Sequence, residues 1–392
     1  MIFVGIDVAK SHHDIAMIDD SGTIILQHLK IQNNFSGFAT LQSKLNELAI
    51  DQSIYIAMEA TGHYSLNILM FLQSLGYPTI AYNPFLIKEF IKATSLRKTK
   101  TDRADAISIA KKLASDTAPE VFTISKEMQE LKFLSRHRNR LTARRAELKG
   151  QYVRLLDISF PELVSIIGKN NLHAHYVSDL LIKYPSHTKL ARCKITSLIN
   201  IIHIKHGNQF EYAQKIKTLA KHSIGLESKA NELELIQTIN MIQLLSTQIL
   251  EVDQEINRLM ITMEDAHIIT SIAGISNRLG SVILAEINNI HNFKSAEQLL
   301  AFAGLEPSIY QSGQVNATGK MVKRGSAALR WALIQAAEYA TRWSPTMRAY
   351  LHKKRDEGKH YFVAISHVAK KLVRIIFHLL TNHLTYNESK LL

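Results

Sequence analysis

The order of strand and helix signals in the first 125 residues constrains the fold of this chain more than any other feature. Three short β-rich segments come first, and Asp19-Asp20-Ser21-Gly22 between the second and third is a hairpin turn sequence. Helices and strands then alternate. The predicted strands are 2–8, 13–18, 23–29, 53–58 and 79–82, and the predicted helices are 38–48, 66–75, one opening at Asn83-Pro84 and one near residue 102. An antiparallel meander followed by αβαβα predicts an α/β fold of the RNase H type.

Four carboxylates occupy distinctive places in this pattern. Asp7 lies on the first predicted strand, Glu59 ends the fourth, and Asp102 and Asp105 are three residues apart near a helix start with Thr101 at the N-cap position. Two Mg²⁺ ions about 3.5–4 Å apart, held by carboxylates, can catalyse phosphodiester chemistry. Each acid alone has an ordinary explanation, such as a strand end, a turn contact or a helix-dipole charge. Their joint placement favours a metal site.

The charge of the chain is divided unevenly. The 392 residues contain 47 Lys and Arg against 34 Asp and Glu, a net charge of +13. Residues 1–125 hold 11 basic and 12 acidic residues, which leaves 36 basic and 22 acidic residues for 126–392. The excess positive charge, which predicts a polyanionic partner, therefore lies outside the acidic segment.

Cysteine usage and hydropathy predict a location. Cys193 is the single cysteine, which fits a reducing compartment. The N-terminal residues lack the features of a signal peptide, and no apolar run reaches the roughly 20 residues of a membrane span. We expect a cytoplasmic, nucleoid-associated protein without membrane contact.

Residues 126–262 are predicted to be helical and to contain two apolar stripes. The first stripe consists of Leu131, Leu134, Leu141, Leu148 and Leu155. The second consists of Leu235, Ile239, Ile242, Leu245, Ile249, Val252, Ile256 and Leu259. The stripes either pack on each other within one subunit or form a coiled coil between subunits. The first helix also carries many arginines, which either bind phosphate backbones of DNA or structured RNA or form a solvated basic face. Histidines in the intervening segment, such as His173 and His175, do not follow the spacing of a structural zinc site.

The character of the sequence changes again at residue 263. Ile272-Ala273-Gly274-Ile275 between two helical segments resembles a helix-hairpin-helix, whose turn amides bind backbone phosphate, although an ordinary helical turn fits as well. Farther along, Ser312-Gly313 lies between Pro307 and a glycine- and cation-rich loop with Lys320, Lys323 and Arg324. Such a pair is usually a turn. Here the nearby cations could present a phosphate to the serine hydroxyl.

These residues together resemble the DEDD transposases of insertion sequences. The resemblance rests on Gly5-Ile6-Asp7-Val8-Ala9-Lys10, Met58-Glu59-Ala60-Thr61-Gly62-His63-Tyr64, Tyr82-Asn83-Pro84 and Lys100-Thr101-Asp102-Arg103-Ala104-Asp105-Ala106. The four motifs stand in family order across most of residues 1–115. Members have a RuvC-like domain, are related to the Piv invertase and are known as bridge-RNA-guided recombinases.

The resemblance implies an architecture and a function. A RuvC-like DEDD domain would span 1–125, a helical coiled-coil region with an insert 126–262, and a mostly α-helical serine transposase domain 263–392. Asp7, Glu59, Asp102 and Asp105 would bind Mg²⁺, or alternatively Mn²⁺, and Ser312 would be the nucleophile. In the family, the RuvC-like domain of one subunit meets the serine domain of another.

The implied partners are nucleic acids and further copies of the chain. They are the DNA of the element ends and of the target, a non-coding guide RNA, and a homo-oligomer that is a dimer or a tetramer. The residues that we expect to contact nucleic acid are Lys10, Lys98, Lys100, Arg138, Arg144, Arg145, Gly274, Lys320, Lys323 and Arg324.

Two other functions fit parts of the sequence. Gly5-Ile6-Asp7 followed by Lys10 also resembles the first phosphate loop of actin-like sugar kinases, but a second Asp-Gly-Gly loop is missing. The other alternative is a metal-dependent Holliday-junction-type nuclease, or a nucleic-acid-binding protein, that does not use Ser312.

Overall fold

A computed structural model describes residues 1–49, 52–94, 101–116, 125–202, 208–312 and 315–391, and for 308–312, 315–320, 390 and 391 it describes the backbone alone. The chain forms two compact units. The first comprises residues 1–125 with 289–294, and the second comprises 126–288 with 295–392.

The first unit is built on a mixed five-stranded sheet in the order β3-β2-β1-β4-β5. Its strands are β1 (Ile2–Val8), β2 (His12–Asp19), β3 (Ile24–Gln32), β4 (Ile54–Glu59) and β5 (Thr79–Tyr82). Its helices are α1 (Phe35–Ala49), α2 (Tyr64–Ser74), α3 (Pro84–Thr94) and α4 (Asp102–Ser115). The first three strands are antiparallel neighbours, and β4 and β5 run parallel to β1. The predicted order of strands and helices is confirmed.

Alternating side chains assign the two faces of this sheet to different helices. Val4 and Ile6 of β1 pack with Leu41 of α1 and Leu72 of α2 on one face. On the other face, a second cluster joins the sheet to α3 and α4 through Phe3, Ala57, Ile80, Ile109 and Leu113. Because successive strand residues point to opposite faces, Asp7 and Glu59 share the α4 face with Phe3 and Ala57.

Helix α1 begins earlier than its apolar spacing indicates. Asn34 precedes Phe35, the first helical residue, and the Asn34 Oδ1 accepts a hydrogen bond from Gly37 N at 2.9 Å. This side-chain cap starts the helix three residues before Phe38.

The second unit is mostly helical. Its first helices are α5 (Lys126–Ser159), α6 (Leu163–Ile167), α7 (His175–Lys183), α8 (His187–Arg192), α9 (Ile195–Ile199), α10 (Gln209–Lys221) and α11 (Lys229–Thr262). They are followed by α12 (Glu264–Ser271), α13 (Asn277–Ile287), α14 (Ala296–Ala303), the strands β6 (Pro307–Ser312) and β7 (Val315–Met321), and α15 (Ala327–Trp343), α16 (Pro345–Asp356) and α17 (Tyr361–Thr381). Short 3-10 helices cover Lys169–Asn171, Ile290–Asn292 and Glu388–Leu391, of which the second belongs to the first unit.

The two 34-residue helices α5 and α11 pack along each other within one subunit. Buried leucine and isoleucine side chains line both helices, among them Leu141 and Leu155 of α5 and Ile249 and Ile256 of α11. Of the two arrangements that the sequence left open, packing within the chain is therefore the observed one.

The helices between α5 and α11 form a core of their own. Side chains from α6 to α10 pack against Tyr152 and Leu156 of α5 and against Leu235 of α11. Farther along the chain, α12, α14, α15 and α16 contact α17, whose buried apolar face includes Val368 and Leu372. Within the described ranges, no helix combines the length and the hydropathy that crossing a membrane requires.

Candidate functional site

The sheet register brings Asp7, Glu59 and a further acid, Asp14, to one edge of the first unit. Parallel strands β1 and β4 are aligned with Ile6 opposite Met58, so Asp7 and Glu59 follow each other at the carboxyl ends of neighbouring strands. In the antiparallel pair of β1 and β2, Asp7 lies directly opposite Asp14. Because opposed residues of an antiparallel pair share a face, Asp14 projects on the same side as Asp7.

Helix α4 adds the other two acids because it lies directly on β1. An ideal Cβ on Gly5 would be only 2.1 Å from the Ala106 O and 2.4 Å from the Ala110 N, both backbone atoms of α4. Only glycine permits this approach. The helix begins at a Thr101 cap, whose Oγ1 accepts a hydrogen bond from Ala104 N at 3.2 Å. Its first turn therefore presents Asp102 and Asp105 near Asp7.

We predict that Gly5→Ala disturbs this arrangement. The added methyl group would overlap the backbone of α4, so the helix must move away from β1. We expect a loss of about 1–3 kcal/mol in the free energy of unfolding, as for other overpacked cores, and weaker divalent-metal binding. Denaturant unfolding and metal titration measure the two effects.

Gly150→Ala is the matched control for this substitution. Nothing lies within 4 Å of an ideal Cβ at Gly150, which is inside α5. Alanine there is expected to stabilise the helix by up to about 1 kcal/mol. Equal stabilisation by both substitutions would contradict the role of Gly5 as the contact surface for α4.

The pKa of Asp7 reflects the acidic side chains around it. Burial, followed by the negative charges of Asp105, Asp102, Glu59 and Asp14, raises the pKa of Asp7 to about 6. A carboxyl group whose pKa is raised by surrounding carboxylates stands where a cation would be stabilised. The structure thus places the other three predicted acids, Glu59, Asp102 and Asp105, within electrostatic range of Asp7.

Three residues beside this cluster were missed by the sequence analysis. Asp14 is only 3% exposed, and its oxygens lie 2.5 Å from His28 Nε2 and 3.4 Å from His12 Nε2. One ligand atom each from His12, Asp14 and Asp102 lies within 4.8 Å of the others. The period-two spacing of His12 and Asp14 on a strand paired with β1 could have revealed them, because it places both on the face of Asp7.

These side chains fit a divalent cation. Carboxylate oxygens are the ligands that Mg²⁺ and Mn²⁺ prefer, and an imidazole nitrogen is compatible with Mn²⁺ and with later transition metals. The candidate ligands are Asp7, Glu59, Asp102 and Asp105, with His12 and Asp14 at their side. The raised pKa of Asp7 is the observation that supports this fit.

The predicted nucleophile lies at the end of a hairpin rather than in an irregular loop. Ser312 is the last residue of β6 and is paired with Val315, the first residue of β7. The base of the hairpin is held by a hydrogen bond from Val322 N to Glu306 O at 2.9 Å. The backbone therefore presents Ser312 at the tip of a β-hairpin in the second unit.

A buried ionic network anchors the chain that leaves this hairpin. Glu286 is 4% exposed and accepts hydrogen bonds from Arg136 Nε at 2.8 Å, from Arg136 Nη2 at 3.0 Å and from Ser326 Oγ at 2.9 Å. Ser326 also caps α15 by accepting from Leu329 N. Although burial opposes it, this network lowers the pKa of Glu286. It thus fixes the start of α15 to α5 and α13.

The residues predicted to bind nucleic acid occupy different environments. Lys10, Arg144, Lys323 and Arg324 are exposed. Arg138 is nearly buried and forms a bidentate ion pair with Asp253 of α11, and Arg145 donates to Ser246 Oγ at 3.1 Å. Lys98 and Lys100 lie outside the described residues, and of Lys320 only the backbone is described.

Gly274 has a packing explanation. Its φ is +90°, and an ideal Cβ would lie 2.4 Å from Ala340 N of α15. The helical turn between α12 and α13 thus needs glycine to contact α15. Phosphate binding by this turn remains a prediction.

Comparison with known proteins supports the resemblance. Residues 4–161 match the model of the IS110 DEDD transposase family, and residues 266–352 match that of the IS116/IS110/IS902 transposase family. An IS116 protein of Streptomyces clavuligerus is 25% identical over 97% of this chain and 94% of its own length.

Two further relatives carry the word transposase in their names. The mini-circle putative transposase for IS117 of Streptomyces coelicolor is 22% identical, covering 99% of this chain and 96% of its own length. The transposase of IS1111A from Coxiella burnetii is 24% identical, covering 98% of this chain and 90% of its own length. With both family models matched in order and relatives aligned along nearly their whole length, the chain belongs to the IS110/IS116 family of DEDD transposases.

Proposed function

We propose that this transposase cleaves and rejoins DNA strands through a phosphoserine intermediate on Ser312, with help from a divalent metal bound by Asp7, Glu59, Asp102 and Asp105. The observation that carries the proposal is the placement of Asp7 and Glu59 at the carboxyl ends of neighbouring strands, with the first turn of α4 packed beside them. Burial, followed by the charges of Asp105, Asp102, Glu59 and Asp14, raises the pKa of Asp7 there. In a chain of this family, such a cluster fits phosphodiester chemistry.

The first step is an attack by the Ser312 Oγ on a DNA phosphorus atom. A bond between Oγ and phosphorus forms, the bond between phosphorus and the 3′ oxygen breaks, and the serine proton passes to solvent while the 3′ oxygen takes up a proton. A 3′-hydroxyl of the partner strand then attacks the phosphoserine. The phosphorus–Oγ bond breaks and the serine regains a proton, so each phosphodiester lost is replaced by another.

The four acids prepare the site for this reaction. A bound divalent metal would stabilise negative charge on the phosphorus oxygens. Asp7, Glu59, Asp102 and Asp105 would hold the metal, and their placement on a rigid sheet and helix limits reorganisation during the reaction. His12 and His28 flank Asp14 and fix its orientation beside them.

We further propose that an oligomer of the chain uses a guide RNA to select its DNA. The excess of basic residues in 126–392 and the exposed arginines of α5 support binding to phosphate backbones. Ser312 and the acidic cluster then act on the same phosphate within the oligomer. Mg²⁺ or Mn²⁺ is the proposed cofactor.

Trapping of the intermediate tests the proposed chemistry. A DNA substrate with a nick next to the cleavage site loses its short leaving fragment and should leave the protein covalently attached. We expect an adduct that withstands denaturation, depends on divalent metal, and maps by peptide mass spectrometry to Ser312. Cleavage that leaves a free 5′-phosphate and no adduct would instead identify a junction-type nuclease.

A further inference from the structure

A cavity in the second unit lies far along the sequence from the acids and from Ser312. It has a volume of about 480 Å³ and is bordered by α5, α7 and α11. This volume falls within the roughly 300–1,000 Å³ that is typical of small-ligand sites. The cavity therefore has room for a compact organic ligand.

One side of the cavity is strongly basic. Arg145, Lys149, His173 and His175 line it, and within the described ranges no Asp or Glu lines it. Burial, followed by the charge of Arg145, lowers the pKa of Lys149. Burial, followed by the charge of Lys149, lowers the pKa of His173. An anion between Arg145 and Lys149 would offset the repulsion between these two side chains.

The other walls combine apolar surface with hydroxyl groups. Ile239, Ile242 and Leu250 of α11 supply the apolar part, whereas Ser178, Ser246 and Thr247 supply hydrogen-bonding groups. Arg145 is already oriented into this wall by its hydrogen bond to Ser246 Oγ at 3.1 Å. The cavity is thus cationic on one side and mixed apolar and hydroxylic on the other.

We propose that this cavity binds one unstacked nucleotide of a single-stranded nucleic acid. Arg145, Lys149 and the two histidines contact its phosphate, and the base lies against the apolar wall of α11. An acidic peptide would supply the charge but not a flat ring to cover Ile239 and Ile242. A nucleotide supplies both parts, and unstacked bases are the common target in single-stranded recognition.

Binding of short labelled strands to the full-length protein tests this inference. The probes are a fluorescent RNA of about 12 nucleotides, the matching single-stranded DNA and the matching duplex, measured by anisotropy without divalent metal. We expect Lys149→Gln to weaken binding of a single strand roughly tenfold and to reduce the salt slope by about 0.7, the contribution of one phosphate contact. Loss confined to RNA, or to single-stranded DNA, identifies the source of the nucleotide.

Two further variants separate the cavity from general electrostatics. Thr247→Trp fills the cavity from an exposed position of α11 without changing the charge. It should weaken binding of the same single-stranded probe about as much as Lys149→Gln does. Lys215→Gln removes one positive charge from an exposed position on α10 outside the cavity, and should change affinity less than about threefold. Thermal unfolding verifies that each variant is folded.

Two results would overturn the inference. One is an equal, small effect of Lys149→Gln and Lys215→Gln, which would mean that the cavity contributes only general charge. The other is competition by polyglutamate as effective as competition by adenosine monophosphate, which would mean that the cavity selects negative charge without a base. Neither result depends on strand cleavage, so failure of the proposed catalytic chemistry would leave this test unaffected.

Discussion

Ser312→Ala is expected to abolish the covalent protein–DNA adduct and strand exchange while leaving DNA and metal binding intact. The substitution removes only the oxygen that would attack phosphorus, and loss of a serine nucleophile costs about 10⁶-fold in kcat in a well-studied protease. We expect a loss of at least about 10⁴-fold here, since water or another hydroxyl can replace the serine poorly. Single-turnover cleavage of a nicked substrate measures the rate.

Ser308→Ala is the matched control, because Ser308 lies on the same strand, β6, as Ser312. It should retain both adduct and strand exchange. If Ser312→Ala still cleaves DNA in the presence of Mg²⁺ at a rate close to that of the unmodified chain, Ser312 is not the nucleophile. Water activated at the acidic cluster would then be the attacking group.

The surroundings of Ser312 could be predicted from sequence only in part. A Ser-Gly pair near glycines and cations predicted a turn, and the structure has Ser312 at the end of β6, paired with Val315 of β7, whereas Gly313 lies outside the described residues. The anchoring of that region could not be predicted, because Glu286 meets Arg136 across 150 residues of sequence. A short local pattern carries no information about such long-range ion pairs.

The first unit was more predictable for a physical reason. Strand alternation, the turn at Asp19-Asp20-Ser21-Gly22 and the Thr101 cap are local features, so the order of strands and helices followed from sequence. Asp14 and His12 were missed because their proximity to Asp102 depends on the pairing of β1 with β2 and on the packing of α4. The reason for Gly5 likewise became visible only with α4 in place.

The arginines on α5 illustrate a second limit of prediction from sequence. The many arginines of this helix indicated a surface for nucleic acid, yet Arg138 forms an ion pair with Asp253 on α11. Composition gives the number of positive charges, whereas their partners depend on how helices that are far apart in sequence pack together. Arg144, by contrast, is exposed and remains a candidate for phosphate contact.

Asp7→Asn is expected to remove strand cleavage and, in the absence of metal, to make the protein more stable. One proposed metal ligand is lost, and the loss of several kcal/mol of transition-state stabilisation corresponds to a decrease in rate of roughly 10³-fold or more. The same substitution removes a negative charge that burial and the neighbouring acids destabilise. Loss of activity with a gain in stability is expected where a charge serves function rather than folding.

The predicted difference in stability between Asp7→Asn and the unmodified chain depends on pH. Unfolding experiments in the presence of a chelator can measure this difference. Because the pKa of Asp7 rises from 3.8 to about 6 on folding, its contribution to stability is complete below the lower value and is lost as the pH rises through the upper one. Asp7→Asn should therefore match the unmodified chain near pH 4 and exceed it by about 1–2 kcal/mol at pH 8, allowing for partial exposure of the carboxylate.

The control for this experiment is Asp20→Asn, in the exposed turn after β2, which should change neither cleavage nor the pH profile. Added Mg²⁺ or Mn²⁺ should raise the melting temperature of the unmodified chain and of Asp20→Asn. The increase for Asp7→Asn should be much smaller, because an ion stabilises the folded state only to the extent that it is bound. A variant Asp7→Asn that is less stable at every pH and still responds fully to metal would show that Asp7 supports the fold and that the cation lies elsewhere.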